Sequence, residues 1–172
     1  GVIILGTGFS ALGMVDGALH SIGGYGFPIN AEGSGSWLGL QAVKAVLLAL
    51  DGIGPHTSLI TGMTKNEDIM SLATRLNHGT STEFATFAPL VFEHAKQGDL
   101  LAKALIEQAT EFLQRVILRL NDLGVEEVVL VGSVALRLQN RLKATVNQAI
   151  VPGKASAEYG AMLLAKQYNP NQ

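Results

Sequence analysis

The sequence GVIILGTGFSALG, from Gly1 to Gly13, decides the fold. Its apolar run from Val2 to Leu5 is β-branched and aliphatic, which predicts a buried strand. Two glycines and two hydroxyl side chains follow at once: Gly6, Thr7, Gly8 and Ser10. Glycines let a backbone approach a ligand closely, and N–H groups with hydroxyls at a strand end suit phosphate oxygens. The stretch therefore predicts a phosphate-binding turn, although an ordinary tight turn explains these residues equally well.

The same residues, from Gly6 to Ala11, also fit the G-x-G-x-x-A fingerprint of dinucleotide-binding domains. That motif requires a helix directly after the glycine turn. Here Asp16 and Gly17, a dipeptide typical of tight hairpins, interrupt the apolar residues that follow. A strand that returns across a turn is not a Rossmann unit, so we rank an oxidoreductase below a phosphate-binding hairpin. A helix over residues 9–16 would reverse that order.

The composition of the 172 residues limits the classes of protein that fit. Only 15% of the residues are charged, against about 25% in typical soluble domains, which predicts a surface partly covered by another domain or subunit. The net charge of −2 offers no basic footprint for nucleic acid, and no apolar run is long enough to span a membrane. There are no cysteines, which excludes disulfides and thiolate metal sites and fits a cytoplasmic protein. The chain opens inside a strand, so we expect it to be part of a longer protein.

Downstream of the hairpin, the pattern predicts mainly helices and then a second strand. Capping boxes begin at Thr64 and Thr80, Pro89 divides the second segment, and Asp99 caps a long helix. We expect close packing around Gly160 in the last helix. The predicted helices cover 36–50, 64–76, 100–120, 136–146 and 155–166, and the later strands cover 125–131 and 148–151. This order predicts an α/β fold.

Two apolar strands that each end in glycine are the most informative pair in the sequence. The second ends at Val131 and is followed by Gly132 and Ser133. In a parallel sheet the carboxyl ends of such strands lie at one edge, where α/β sheets bind ligands. One turn could hold phosphates and the other a base or ribose, or both could be tight turns of core strands. Glu32, between glycines in a loop, could accept hydrogen bonds from sugar hydroxyls, or be a solvated loop acid.

Several segments, taken in order, resemble a known family. The segment VIILGTGFS resembles the second phosphate motif of the sugar kinase, actin and heat-shock ATPase superfamily. GGYGFP at 23–28 and AEGSG at 31–35 resemble the sugar loop of glucosamine and N-acetylglucosamine kinases. DGIGPHT at 51–57, FATFAP at 84–89, VGSV at 131–134 and AEYGA at 157–161 continue the match. The chain thus resembles the carboxyl-terminal half of these kinases, which are BadF/BadG/BcrA/BcrD-type ATPases.

The resemblance implies an RNase H-like, actin-like ATPase domain with a mixed sheet, flanking helices and a helical insertion. Residues 1–172 would be the ATP- and sugar-binding domain of a two-domain kinase that transfers a phosphoryl group from ATP, with Mg²⁺, to the 6-hydroxyl of an amino sugar, glucosamine preferred. The implied ATP contacts are Gly6, Thr7, Gly8, Ser10, Ala85, Gly132 and Ser133. The implied sugar contacts are Gly24, Tyr25, Gly26 and Glu32.

The resemblance also implies what this chain lacks. The catalytic base and the metal-linked acid would belong to an amino-terminal half absent from the chain, so we expect no catalytic residue or metal ligand here and no activity of the fragment alone. The implied partners are an amino sugar, the missing domain and a second copy docked through the helix over 100–120, without nucleic acid or membrane.

The sequence departs from the family pattern in the sugar loop. Asn30 and Ala31 stand where Gly-Asp is common, and Tyr25 stands where Trp is usual. That Asp helps to hold the sugar in the family, so Ala31 leaves open an N-acetylglucosamine kinase or a non-catalytic sugar- or nucleotide-binding regulator. The radical-dehydratase activators of the same branch need cysteines for a bridging iron–sulfur cluster, and their absence here disfavours that assignment.

Overall fold

One four-stranded mixed sheet forms the base of the structure. The computed structural model describes residues 1–65 and 67–168. The strands of the sheet are β1 (Val2–Leu5), β2 (Phe9–Val15), β3 (Ala18–Gly23) and β4 (Val129–Val131). Their order is β3-β2-β1-β4, with antiparallel pairs β1–β2 and β2–β3 and a parallel pair β1–β4. The predicted hairpin and mixed α/β sheet are confirmed.

The hairpin turn decides between the two interpretations of the glycine stretch. Asp16 and Gly17 both have positive φ, at 50° and 80°, as a two-residue turn between twisted antiparallel strands requires. Residues 9–15 are therefore a strand and not the helix that a dinucleotide fingerprint needs. The Rossmann alternative is rejected.

Nine helices are assigned in the described part of the chain. They are α1 (Gly35–Leu50), α2 (Leu59–Met63), α3 (Ile69–Leu76), α4 (Ser81–Ala85), α5 (Ala88–Lys96), α6 (Leu100–Asp122), α7 (Ser133–Gln139), α8 (Ala144–Asn147) and α9 (Ala157–Tyr168). The long helix α6 packs against α1, α5 and α7. It buries Ile106, Ile117 and Leu120 completely, which places its apolar stripe in the core of this chain.

The two faces of the sheet differ because side chains alternate along a strand. Ile3 and Leu5 of β1, paired with Ala11 and Phe9 of β2, are buried under the helices. The opposite face leaves large apolar side chains exposed: Ile4, Leu12, Met14 and Leu19. The sheet thus has an apolar outer face, and its covering by another domain stays a prediction.

The capping box predicted at Thr64 is wrong. Asp68 caps α3 instead, because its carboxylate accepts hydrogen bonds from the backbone N–H groups of Met70 and Ser71, each at 3.0 Å. Thr64 ends the preceding helix α2, where its hydroxyl donates to the carbonyl of Ile60 at 2.8 Å. The short helix α2 has too few residues to show a periodic pattern. Asn66, within the predicted box, lies outside the described residues.

The carboxyl-terminal third also differs from its predicted elements. The helix predicted over 136–146 begins earlier, at Ser133, ends at Gln139 and is followed by a turn before α8. Only Val129–Val131 of the strand predicted over 125–131 pairs with β1, and the segment 148–151 contributes one bridge, between Ile150 and Val128. Among the residues that the structure describes, a Cβ at Gly160 would have no neighbour within 4 Å, so the close packing expected there is not seen.

The predicted boundaries between residues 80 and 100 are confirmed. Thr80 and Glu83 form a reciprocal capping box at α4. Pro89 lies in the first turn of α5, and Gly98, with φ of 105°, separates α5 from α6. Asp99 caps α6 by accepting a hydrogen bond of 2.9 Å from the N–H of Ala102.

The Asp99 carboxylate also links the start of α6 to the residues that precede α2 by hydrogen bonds. It accepts bonds from the Thr57 hydroxyl at 2.9 Å and from the N–H and hydroxyl of Ser58 at 2.6 and 2.9 Å. Burial raises the pKa of Asp99, but these bonds and the one from Ala102 outweigh burial and lower its pKa from 3.8 to about 2. The charged carboxylate is therefore the form that stabilises the fold.

We expect Asp99→Ala to lower the free energy of unfolding at neutral pH by about 2 kcal/mol, which is the upper end for a lost helix cap. The loss should not exceed this value, because solvent screens the charge of the Asp99 carboxylate. Because the folded-state pKa is depressed, the contribution of Asp99 is complete above its ordinary pKa of 3.8 and is lost as pH falls toward 2. Urea unfolding at pH 7 and at pH 3 measures both effects.

A matched control is Asp51→Ala, because Asp51 is exposed and its side chain makes no hydrogen bond among residues 1–65 and 67–168. We expect that change to cost less than about 0.5 kcal/mol. Equal losses for the two variants, or a loss for Asp99→Ala that does not shrink with acid, would contradict the role of the Asp99 network.

Candidate functional site

The turns after β1 and β4 touch each other at one edge of the sheet. A Cβ at Gly132 would lie 2.5 Å from the carbonyl oxygen of Leu5 and 2.9 Å from the nitrogen of Gly6. Gly132 also has a φ of 105°, a backbone conformation that other residues rarely adopt. The predicted convergence of the two turns is therefore confirmed, and it depends on a glycine at this point.

The start of helix α1 is bonded to the first of these turns. The N–H of Gly35 donates to the carbonyl of Gly6 at 2.7 Å, and the N–H of Ser36 donates to the carbonyl of Thr7 at 3.1 Å. Ser34, whose hydroxyl caps α1 and is fully buried, holds the preceding loop in place. These bonds fix the turn against a helix, which is the preorganisation that a ligand site needs.

A small cavity of about 110 Å³ lies where the turns meet. Four of the predicted ATP contacts line it together: Gly6, Thr7, Ala85 and Ser133. Gly132 packs directly behind Gly6. Gly8 and Ser10 lie outside this lining, Gly8 at the open end of the turn with no neighbour within 4 Å of a Cβ. We call this space the turn cavity; the structure brings most of the predicted phosphate and adenosine residues around it.

Phe92 and Arg137 are among the residues of the turn cavity that the sequence did not predict. The guanidinium of Arg137 lies over the Phe92 ring, 5.2 Å from its centroid, in a cation–π contact. Arg137 lies one helical turn after Ser133, so it faces the same side of α7. The four-residue spacing of Ser133 and Arg137 could have indicated this, but the helix was predicted to begin at residue 136 and so did not include Ser133.

The predicted sugar residues lie on the loop that follows β3, and none of them lines the turn cavity. A Cβ at Gly24 would lie 3.5 Å from the hydroxyl of Ser10, so this loop borders β2. The N–H of Tyr25 donates to the side chain of Asn30 at 3.4 Å, and the carbonyl of Gly26 accepts from the N–H of Asn30 at 2.8 Å. The Tyr25 side chain is 83% exposed, and it therefore faces open solvent.

Glu32 forms an ion pair that the sequence did not predict. Its carboxylate lies 3.0 Å from the guanidinium of Arg115 on α6, and both side chains are exposed. Arg115 also contacts the ring of Phe112, at 5.8 Å. An exposed pair contributes at most about 1 kcal/mol, so its effect is to orient the Glu32 carboxylate. Ala31, immediately before it, is 2% exposed.

A larger cavity, of about 760 Å³, is lined by other residues. Phe27 and Phe84, with ring centroids 5.3 Å apart, form part of its wall. None of the predicted ATP or sugar residues lines it. Size alone therefore does not identify the site predicted from the sequence.

The lining of the turn cavity offers groups that could contact phosphate oxygens. The turn cavity has an open glycine turn and the Thr7 hydroxyl, which match phosphate oxygens. Within the residues that the structure describes, no three His, Cys, Asp or Glu side chains gather as a metal site.

None of the helices in the described ranges combines the length and the apolar character needed to cross a bilayer.

The mixed sheet with its flanking helices and converging turns has the actin-like ATPase fold. The backbone superimposes with a TM-score of 0.82 on the crystal structure of a Chromobacterium violaceum protein provisionally described as an N-acetylglucosamine kinase. The two sequences are 32% identical, over 95% of this chain and 58% of that one. The chain belongs to the BadF/BadG/BcrA/BcrD ATPase family, whose sequence profile matches residues 1–165.

Two curated relatives carry names of known activities. The chain is 36% identical over 166 residues to the glucosamine kinase GspK of Vibrio cholerae, covering 95% of this chain and 56% of that protein. It is 35% identical over 123 residues to the N-acetyl-D-glucosamine kinase of Dictyostelium discoideum, covering 67% of this chain and 39% of that protein. The chain thus spans about half the length of the relatives that it matches.

Proposed function

We propose that this chain is the ATP- and sugar-binding domain of a two-domain amino-sugar kinase, which phosphorylates the 6-hydroxyl of glucosamine. The observation that carries this proposal is the contact between the turns after β1 and β4, which places Gly6, Thr7 and Ser133 around one cavity. The two relatives named above phosphorylate amino sugars according to their names. Glucosamine is favoured because the more extensive of these two matches is to a glucosamine kinase.

The residues of the turn cavity have distinct roles in this proposal. The Gly6–Gly8 turn and the Thr7 hydroxyl bind the phosphates of ATP, and Ser10 extends that contact toward the sugar loop. Ala85, Gly132 and Ser133 border the adenosine. Bound ATP supplies the phosphoryl group. The chain holds it through a turn that α1 keeps in place by the bonds from Gly35 and Ser36, so little order has to be gained on binding.

The sugar loop completes the site in this proposal. Gly24 and Gly26 bring backbone close to the acceptor, Tyr25 provides an aromatic wall, and Glu32, oriented by Arg115, accepts hydrogen bonds from sugar hydroxyls. The general base belongs to the other domain, and the protein acts in the cytoplasm with Mg²⁺ accompanying ATP. A second copy docked through α6 would use the exposed Leu100 and Leu118, since most apolar side chains of that helix are already buried.

A non-catalytic regulator is the second candidate, and one observation favours it. Ala31 is buried, with 2% of its surface exposed, at the position where the resembling kinases commonly place a sugar-binding Asp. A buried methyl group cannot replace the hydrogen bonds of that carboxylate. N-acetylglucosamine is the alternative substrate if the loss changes specificity instead of activity.

The experiment is to measure ADP release by the full-length protein with ATP and either glucosamine or N-acetylglucosamine. We expect turnover with glucosamine, and a 10- to 100-fold lower kcat/KM for ATP in Thr7→Val, which is roughly the loss of one hydrogen bond to a charged phosphate. Thr82→Val, on the exposed side of α4 and outside the turn cavity, is the matched control.

The outcomes separate the candidates. If the protein binds ATP but turns over neither sugar, the non-catalytic regulator is the candidate that remains. If Thr82→Val loses as much activity as Thr7→Val, the Gly6–Gly8 turn is not part of the ATP site. The 172 residues alone should release no ADP, because phosphoryl transfer needs both domains to position the reacting atoms.

A further inference from the structure

A second cavity adjoins the turn cavity. It has a volume of about 500 Å³ and is lined by Pro89, Phe92, Glu93, Lys96, Arg137 and Arg141. Three of these residues, Pro89, Phe92 and Arg137, line the turn cavity as well. The two spaces are therefore neighbours that share one wall between α5 and α7. We call the second one the cationic cavity.

The charge of the cationic cavity is opposite to that of the chain. Lys96, Arg137 and Arg141 are three cations, and Glu93 is the one carboxylate in the lining, although the chain as a whole has a net charge of −2. Within 1–65 and 67–168, ion pairs form at Arg75 and Arg115 and at none of these three cations. Glu93 accepts a hydrogen bond of 3.3 Å from Gln97. The three cations, all exposed, outnumber the one carboxylate and form no ion pair with it, and an excess of positive charge in a cleft favours the binding of an anion.

The geometry suits a phosphate group. The Phe92 ring holds the Arg137 guanidinium, 5.2 Å from the ring centroid, at the wall between the two cavities. The planar guanidinium of arginine offers paired donors to phosphate oxygens, and lysine adds a compact positive charge. The volume of the cationic cavity lies within the range of small-molecule sites, so it has room for more than an isolated ion.

We propose that the cationic cavity binds the phosphate group of a small phosphorylated molecule, through Lys96, Arg137 and Arg141. Two sources share this chemistry: a separate phosphorylated molecule, and an additional phosphate on the ribose of a nucleotide in the turn cavity. The first source is independent of the proposed function, whereas the second rests on it. In both cases the phosphate oxygens face the three cations and the remainder of the ligand fills the adjoining space.

The first experiment is calorimetric titration of inorganic pyrophosphate into the full-length protein, alone and saturated with a non-hydrolysable ATP analogue. We expect saturable binding in both states, at least tenfold weaker in the double variant Lys96→Gln/Arg141→Gln, and weaker at higher salt. Arg137 is left unchanged because it also lines the turn cavity. The matched control is Lys103→Gln/Arg119→Gln, which removes one exposed lysine and one exposed arginine of α6 outside the cavity.

The second experiment compares ADP with adenosine 3′-phosphate 5′-diphosphate in the same proteins. One outcome is that adenosine 3′-phosphate 5′-diphosphate binds wild type at least tenfold more tightly than ADP does, and binds the Lys96/Arg141 double variant no more tightly than ADP does. That outcome assigns the phosphate to the nucleotide. Pyrophosphate binding that survives the ATP analogue and depends on the same two residues assigns it to a separate molecule.

The proposal is overturned if neither ligand distinguishes the Lys96/Arg141 variant from wild type, or if the Lys103/Arg119 control weakens binding equally. Failure of ADP to bind at all would count against the proposed function. The titration of pyrophosphate into the protein without nucleotide would still test the cationic cavity.

Discussion

Replacing Gly132 by alanine should separate the two turns and weaken nucleotide binding. The new Cβ would lie 2.5 Å from the Leu5 carbonyl oxygen and 2.9 Å from the Gly6 nitrogen, and both are backbone atoms that cannot rotate away. The φ of 105° adds strain. Overpacking and strain together should lower the free energy of unfolding by roughly 3 kcal/mol. Because Gly6 forms part of the turn cavity, ADP should bind at least tenfold more weakly to the full-length protein, as measured by calorimetry.

Gly17→Ala is the matched control, because it introduces the backbone strain of a positive φ without a steric overlap of the new Cβ. Gly17 has a φ of 80° in the β2–β3 turn, and a Cβ there would meet nothing within 4 Å. We expect a loss of about 1 kcal/mol from the left-handed backbone alone and unchanged ADP binding. If Gly132→Ala and Gly17→Ala had the same stability and the same affinity for ADP, the contact between the two turns would not be needed for nucleotide binding.

Gly39→Ala should also destabilise the protein strongly, although helix propensity predicts the opposite. Alanine is favoured over glycine by about 1 kcal/mol inside a helix. At Gly39, however, the backbone of α4 passes so close that a Cβ would overlap the carbonyl oxygen of Phe84 and lie 2.6 Å from its carbonyl carbon. Relief requires α1 and α4 to move apart, so we expect a net loss of about 3 kcal/mol in urea unfolding.

The same displacement should reach the turn cavity, because α4 ends at Ala85, which lines it. We therefore expect weaker ADP binding in Gly39→Ala as well. Gly160→Ala in α9 is the matched control, since a Cβ there has no neighbour within 4 Å. It should leave ADP binding unchanged and raise stability by up to about 1 kcal/mol. A gain of stability in Gly39→Ala would show that α1 and α4 are not packed as described.

Local sequence signals predicted the elements where one strong chemical preference governs the backbone. Asp16 and Gly17 predicted the hairpin because few other residues accept positive φ at both positions of such a turn. Thr80 with Glu83, and Asp99 after Gly98, predicted helix starts because a side-chain oxygen satisfies N–H groups that would otherwise lack partners. The prediction at Thr64 failed because two residues with capping side chains, Thr64 and Asp68, lie within one turn of each other.

The sequence could indicate which glycine turns meet at the edge of the sheet, but it could not indicate their partners on distant helices. Gly6 and Gly132 could be paired from the sequence because both end apolar strands that suit a parallel sheet. The stacking of Arg137 on Phe92 and the ion pair of Glu32 with Arg115 join residues 45 and 83 positions apart. No local pattern connects residues at such separations.

The sequence by itself determined the hairpin, the boundaries of most helices and the two glycine turns, because backbone sterics and end-capping act over a few neighbouring residues. Only the tertiary structure decided that Gly132 packs against Leu5 and Gly6, and that the backbone of Phe84 packs against Gly39. It also decided that three cations line one cavity: Lys96, Arg137 and Arg141. Those relations arise from packing between elements far apart in the chain, where the shape of each surface depends on every helix and strand being in place.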